Sequence, residues 1–293
     1  MSDQKHLIKG IVFRLVKKHI AGSTTQSVLD AVRRLNTQGM HATVTLLNDH
    51  IEQPQQARYN ANAYVQLIRQ TSRLNLNSDV SLRLTQLGYG FDGPLMRKNL
   101  LEVIEAAVEN KQKVWMESES GIDTEEMIAL YREFKDGRGC LGVEVLPNYD
   151  EKGMVLGAIK SKDLVKVKCH LHRSDKPLNR KESVGALKLY RSYIDGLRAA
   201  RANVTILDQN ASLIGRIAAL NKSYKDDITF EAPMGYGGKK LKSLSEKKFN
   251  MSVYVPYGKD WVPYMINRLT EGRIRNIAIA LLNGENGHEH GGY

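Results

Sequence analysis

Cysteine is nearly absent from this sequence: Cys140 and Cys169 are the only two, so a disulfide framework is excluded as the basis of the fold. Long apolar runs are missing as well. No stretch approaches the ~18 uncharged residues that a membrane-spanning helix needs, so an integral membrane segment is not expected. The opening residues MSDQKHLIKGIVFRL place charged and polar groups where a secretory signal needs an unbroken apolar core. A reducing cytoplasm is the expected location, with peripheral contact to a membrane left open. Zinc-finger spacing and RNA-binding signatures are also lacking.

What is present is an ordinary globular composition, 42% hydrophobic and 26% charged over 293 residues. The net charge of +11 could serve nucleic acid, acidic membranes or a small anion. Much of the excess falls on helix faces, as at Lys239, Lys240, Lys242, Lys247 and Lys248, without interleaved aromatics. A solvated basic face is therefore expected there, and no nucleic-acid partner.

Eight β-branched runs alternate with longer segments of helical period. The runs are 41–47, 80–87, 113–118, 140–146, 164–171, 203–208, 228–233 and 251–256. Helical spacing marks 54–75, 93–110, 123–135, 182–201 and 210–224. Eight such units predict a (β/α)8 TIM-like barrel. Ser23, Thr24 and Thr25 are candidate caps for a helix over 25–38, with Gly39 placed for a left-handed stop. With the apolar-striped segment 6–20 this helix makes an N-terminal helical layer over 1–38, ahead of a barrel over 39–283. Residues 284–293 read as a disordered tail, in which His288 and His290 lack a fixed geometry for metal.

In such a barrel the reactive groups stand at the carboxyl ends of the strands. Arg83, Thr85 and Gln86 fall there on the second strand, Glu117 and Glu119 on the third, Glu144 and Asn148 around the fourth. Lys168, His170 and His172 follow on the fifth, then Asp208, Glu231 and Tyr254. Carboxylates facing a packed interior are costly unless paired, and Arg83, Lys168 and Arg268 are the available cations. A functional pocket at this end is the expectation. Cys169, His170 and His172 alternate faces on an extended strand, so one metal cannot gather all three, and no metal site is predicted.

The order of these segments resembles the proline dehydrogenase family, flavin-dependent barrels that oxidise L-proline. The likeness runs along nearly the whole chain. SLRLTQLG at 81–88 is similar to the family's K-L-T-Q-L-G strand, and YVPYGKDWVPY at 254–264 to its Y-V-P-Y-G-x-x-W-x-P-Y motif. The stretch 20–47 resembles the family's helix and first strand in the same order.

The resemblance implies a small carboxylated amino acid as substrate, proline or a relative, oxidised by hydride transfer to FAD, with a quinone or other electron acceptor as partner. It assigns Arg83, Glu117 and Tyr254 to the catalytic centre. Arg83, Tyr254, Tyr264, Asn267 and Arg268 fall on its substrate side, and Lys168, Asp208, Gln209 and Glu231 on its cofactor side. A guanidinium suits a carboxylate because it donates two parallel hydrogen bonds.

Several family positions differ. Arg83 replaces a lysine, Glu117 an aspartate, and Asn267 the first of two adjacent arginines. A fourth-strand glutamine falls on Leu146, a fifth-strand arginine on Val165, and a sixth-strand Thr-His pair on Asp208 and Gln209. Three readings stay open: a flavin-linked amino-acid dehydrogenase, a flavin-free paralogue with acid-base or metal-assisted chemistry, and a non-catalytic barrel that binds a carboxylated metabolite.

Overall fold

The structure is a computed structural model, and it describes residues 17–48, 51–136, 138–148, 150–168, 180–208, 211–220, 227–236, 238–261 and 264. Eight parallel strands close into a barrel in chain order, each hydrogen-bonded to the next and β8 to β1. They are β1 (His41–Leu46), β2 (Ser78–Leu82), β3 (Val114–Met116), β4 (Leu141–Val145), β5 (Leu164–Lys168), β6 (Asn203–Leu207), β7 (Ile228–Pro233) and β8 (Asn250–Tyr257). The helices among the described residues are α1 (Thr25–Asn36), α2 (Pro54–Arg73), α3 (Gly93–Glu109), α4 (Thr124–Lys135), α5 (Lys152–Ala158), α6 (Arg180–Ala199), α7 (Ala211–Leu220) and α8 (Gly238–Glu246). The barrel expected from the sequence is thus the observed fold.

Local chemistry explains where the elements start. Thr24 caps α1, its Oγ1 accepting from the Ser27 amide at 3.2 Å while Ser27 Oγ donates to the Thr24 carbonyl at 2.7 Å. Val28, Leu29, Ala31 and Val32 of this helix are buried, the apolar stripe that docks it on the barrel. Gly39 follows at φ +72°, the left-handed stop expected from the sequence. Asp92 caps α3 through the Leu95 amide at 2.9 Å, and Asp123 caps α4 through the Glu126 amide at 2.8 Å.

Alternation along each strand separates two environments. In β1, Ala42, Val44 and Leu46 are buried among the apolar side chains that join strands to helices. His41 and Thr43 reach across the barrel to Asp79, Ser252 and Glu231 instead. A barrel interior is usually filled by branched aliphatics, yet this one carries Thr43, Asp79, Lys166, Glu231 and Ser252, all buried. Trp115 also enters the interior. Gly142, paired with it in register, leaves it room: a Cβ there would lie 2.5 Å from the indole.

Three boundaries differ from the sequence reading. The run expected as strand over 80–87 is strand only to Leu82; Thr85–Leu87 form a 3-10 turn. The cause is Gln86, whose side-chain oxygen accepts from the Arg83 amide at 3.1 Å and from the Tyr64 hydroxyl at 2.9 Å. Its amide nitrogen donates to the Leu46 carbonyl at 2.7 Å, so this side chain bolts β1, β2 and α2 together. β3 shortens to three residues, and α5 was not foreseen because seven residues give too little periodicity.

Candidate active site

Three side chains from separate strands meet at the carboxyl end of the barrel. Glu117, just beyond β3, accepts from the Tyr254 phenol of β8 at 2.7 Å through Oε1, and its Oε2 lies 3.7 Å from Arg83 Nε at the end of β2. The three residues assigned to the catalytic centre therefore share one place in the fold. Glu117 and Tyr254 are buried, and the Arg83 side chain keeps 23% of its surface. Burial alone would raise the Glu117 carboxyl, but the charges of Arg83 and Lys168 and the Tyr254 hydroxyl, with Ser81 beside it, hold it below the usual carboxylate range. Burial and the Glu117 charge push Tyr254 well above its ordinary value. At neutral pH the arrangement is a carboxylate accepting a hydrogen bond from a protonated phenol, with a guanidinium alongside.

Arg83 is aimed by the turn that follows it. Glu119 accepts from the Thr85 amide at 3.2 Å and from its hydroxyl at 2.6 Å, which ties the exit of β2 to that of β3. Glu119 and Gln86, both read from the sequence as mouth groups, are braces here. Burial raises the Glu119 carboxyl in spite of the Thr85 hydrogen bonds.

A second charged pair stands next to the first. Lys168 Nζ lies 2.7 Å from Glu144 Oε1, which also accepts from the Ser118 hydroxyl at 2.8 Å and its amide at 3.3 Å. Lys168 is 22% exposed and Glu144 is buried. The sequence reading put Lys168 on the cofactor side and also counted it among the cations available to the mouth carboxylates, Glu144 included; which carboxylate it takes needs the β4–β5 register, which spacing alone does not supply. Asp208, one residue past β6, is buried at the same end.

Glu231 sits elsewhere. Expected on the cofactor side of the mouth, it points into the barrel, with Lys166 Nζ at 2.7 Å from Oε1, and Thr43 Oγ1 at 2.5 Å and Ser252 Oγ at 3.0 Å from Oε2. Its position on the inner face of β7, two residues before the strand ends, puts it in the middle layer. Lys166 in turn lies 4.7 Å from the Trp115 ring centroid. Beneath is a cavity of about 260 Å³ at the amino ends of the strands, lined in part by His41, Asp79, Lys113 and Glu231.

The rim that carries Tyr254 is fixed by backbone contacts. Ala21 N donates to the Pro256 carbonyl at 2.9 Å, Leu47 N to Tyr257 O at 2.6 Å, and Gly258 N to Gly22 O at 2.9 Å. Gly258 has φ +140°, and a Cβ there would lie 2.5 Å from the Leu47 carbonyl oxygen, so the YGKDW turn demands glycine. Trp261 and Tyr264 pack on Ile20 and Leu47. Tyr264 is close enough to Tyr254 to act on its phenol. Asn267, Arg268, Gln209, Cys169, His170 and His172 lie outside the described residues. Among the described residues no three His, Cys, Asp or Glu side chains gather as metal ligands, and no helix is long and apolar enough to cross a membrane.

No protein-family model matches the chain. Curated relatives do. Proline dehydrogenase 2 of Bacillus subtilis (strain 168) is 27% identical over 289 residues, covering 90% of this chain and 88% of that protein. Proline dehydrogenase 1 of the same strain is 23% identical over 270 residues, covering 90% and 89%. Among solved structures, proline utilization A from Bdellovibrio bacteriovorus superimposes with a TM-score of 0.74 at 12% identity, covering 97% of this chain and 34% of that one. Proline utilization A from Corynebacterium freiburgense gives 0.69 at 12% identity, covering 96% and 35%. The chain thus spans about a third of these solved proteins, and at such identity the superposition shows the fold alone. Similarity to the curated proteins along nine-tenths of its length makes this chain a relative of the proline dehydrogenases, the family its motifs resemble.

Proposed function

We propose that the protein is a proline-dehydrogenase-like oxidoreductase that oxidises proline or a related small amino acid at the Arg83–Glu117–Tyr254 cluster. The supporting observation is the assembly of these three residues, far apart in sequence, into one buried acid, phenol and guanidinium group at the end of the barrel where such folds do chemistry. The curated relatives, named proline dehydrogenases, point the same way.

Oxidation of a secondary amine removes a hydride from the carbon next to nitrogen and a proton from the nitrogen. The family resemblance implies FAD, which when bound supplies the hydride acceptor. Glu117 is suited to orient the amine or to receive its proton, because Arg83 and Lys168 keep it ionised. Tyr254 fixes the carboxylate's rotation by donating to Oε1, leaving Oε2 beside Arg83. Arg83, with 23% of its side chain exposed, and Arg268, carried over from the resemblance, would grip the substrate carboxylate.

The described side chains fit the cofactor poorly. Lys168 is held by Glu144, Glu231 is committed to Lys166 inside the barrel, and Asp208 adds a buried carboxylate where a diphosphate would meet like charge. That observation favours a second reading, a flavin-free paralogue acting on an amino acid by acid-base chemistry. A cytoplasmic location and a quinone or other final acceptor belong to the first reading.

Colour separates the two. Protein purified from a flavin-replete host should absorb at the flavin bands and bleach anaerobically with L-proline or a near relative. Colourless protein that ignores added FAD yet binds amino acids would contradict the dehydrogenase reading and support the second.

A further inference from the structure

The barrel has a second opening, at the amino ends of its strands, and the polar groups there are not all used. The cavity of about 260 Å³ is smaller than the roughly 300–1,000 Å³ of a site for a drug-sized molecule, so it has room for a small one. Branched aliphatics would ordinarily close a barrel at this level. Here Thr205 of β6, Thr229 of β7 and Asn250 of β8 stand side by side, Thr205 in register with Thr229 and Thr229 with Asn250, and all three line the cavity. Val204, Ile206, Ile228 and Phe230 are buried between strands and helices, so alternation turns the two threonines inward. Thr205 is only 7% exposed, yet its hydroxyl exchanges no hydrogen bond with any described residue, nor do the side chains of Thr229 and Asn250. A hydroxyl so buried is costly without a partner, and valine would fill the same shape without that cost. The charges around the cavity, by contrast, are answered. Asp79 has His41 Nε2 at 3.4 Å and the Lys113 amide at 2.9 Å, while Glu231 has Lys166, Thr43 and Ser252. The Lys113 side chain stands exposed at the rim, where its charge acts on Asp79.

We propose that this cavity is a binding site for a neutral, polyhydroxylated molecule about the size of a monosaccharide, held by Thr205, Thr229 and Asn250 at the end of the barrel opposite the candidate active site. The proposal does not depend on the amino-acid oxidation reading. The uncommitted groups are all neutral, and a threonine hydroxyl or an asparagine amide both donates and accepts, so the ligand that satisfies them carries several groups that do the same. Hydroxyls meet that requirement. An anion would meet the carboxylates of Asp79 and Glu231, a cation would meet Lys113 and Lys166, and no lining charge is left unanswered to offset either. Trp115 and Phe249 complete the lining with aromatic surface, which suits the apolar C–H face of a sugar or cyclitol ring.

The test is binding to the full chain, read by saturation-transfer NMR and calorimetry, with D-glucose, D-ribose and myo-inositol as neutral probes and D-glucose 6-phosphate and D-glucosamine as charged ones. At least one neutral probe should bind saturably, and more tightly than either charged probe. Thr205→Val and Thr229→Val each remove one hydroxyl at nearly constant shape. The urea midpoint should hold in both, while affinity falls roughly three- to ten-fold in each, the worth of one neutral hydrogen bond. Excess L-proline, the ligand proposed for the mouth, should not displace the bound probe. Failure of every neutral probe to saturate the protein overturns the proposal. Tighter binding of a charged probe overturns it too, as does affinity untouched in both threonine variants or displacement by L-proline. Should one variant fail to fold, the other decides.

Discussion

Two lysines on one strand, two residues apart, meet opposite fates. Lys166 is completely buried, 2.7 Å from Glu231, and the other Glu231 oxygen receives two hydroxyls. Lys168 is also 2.7 Å from its partner, yet it keeps 22% of its side chain exposed, and Glu144 keeps one buried oxygen unserved by the described residues. The inner network is closed and each charge has a fixed answer, which is how a barrel interior tolerates ions. At the mouth, the charges are arranged with groups left over. The difference separates residues that hold the barrel together from residues that can engage a ligand, although all are titratable side chains on strand ends or interiors.

The largest expected effect breaks the closed side. Lys166→Met leaves Glu231 buried without its cation, and unfolding in urea should show a loss of about 3–5 kcal/mol. Adding Glu231→Gln to that variant should recover most of it, because the amide oxygen still accepts from Thr43 and Ser252. The open side should respond in activity. Tyr254→Phe removes the donor to Glu117, and kcat/KM should fall on the order of ten- to a hundred-fold, the value of a hydrogen bond to a charged acceptor, with little change in the urea midpoint. Lys168→Met should cost less stability than Lys166→Met, about 1–3 kcal/mol, because this lysine is partly solvated already. If the two lysine variants were equally destabilising, the contrast between closed and open networks would fail.

The smallest effect is the response to acid. Glu117 and Asp79 have depressed values in the folded state, Glu117 through Arg83 and Lys168 and Asp79 through His41, in each case against the upward push of burial. A depressed group contributes stability that is complete above its ordinary value, 4.5 for Glu117 and 3.8 for Asp79, and lost as the pH falls through the folded one. Glu119, raised by burial, works the other way and gains stability as it takes up its proton above its ordinary 4.5. The urea midpoint should therefore decline once the pH falls below the ordinary values of Glu117 and Asp79, and a midpoint that still rises there would contradict the assigned direction.

The barrel was legible in the sequence because its outer faces obey simple rules. Alternating apolar residues such as Ala42, Val44 and Leu46 announce a strand, and the Thr24 cap and Gly39 stop bracket a helix. The mouth was legible in part. Arg83, Glu117 and Tyr254 were reachable from their motifs and strand ends, and they do converge. Glu231 was misplaced because a strand end in sequence does not state how deep a side chain sits, and Lys166 gave no sign that it would be its partner. Glu119 and Gln86 were read as pocket groups for the same reason: a polar residue at a strand end can turn back and bind its own loop. The Lys168–Glu144 pair depended on lateral register between strands, which no local pattern encodes.

The most direct test of a functional mouth on a structural barrel is the oxidation of L-proline and related small amino acids by Glu117→Gln, measured beside its urea midpoint. The expected result is a fall in kcat/KM on the order of a hundred-fold or more, with the fold retained. Turnover equal to that of the unaltered protein would show that the buried acid at the mouth has no part in the chemistry.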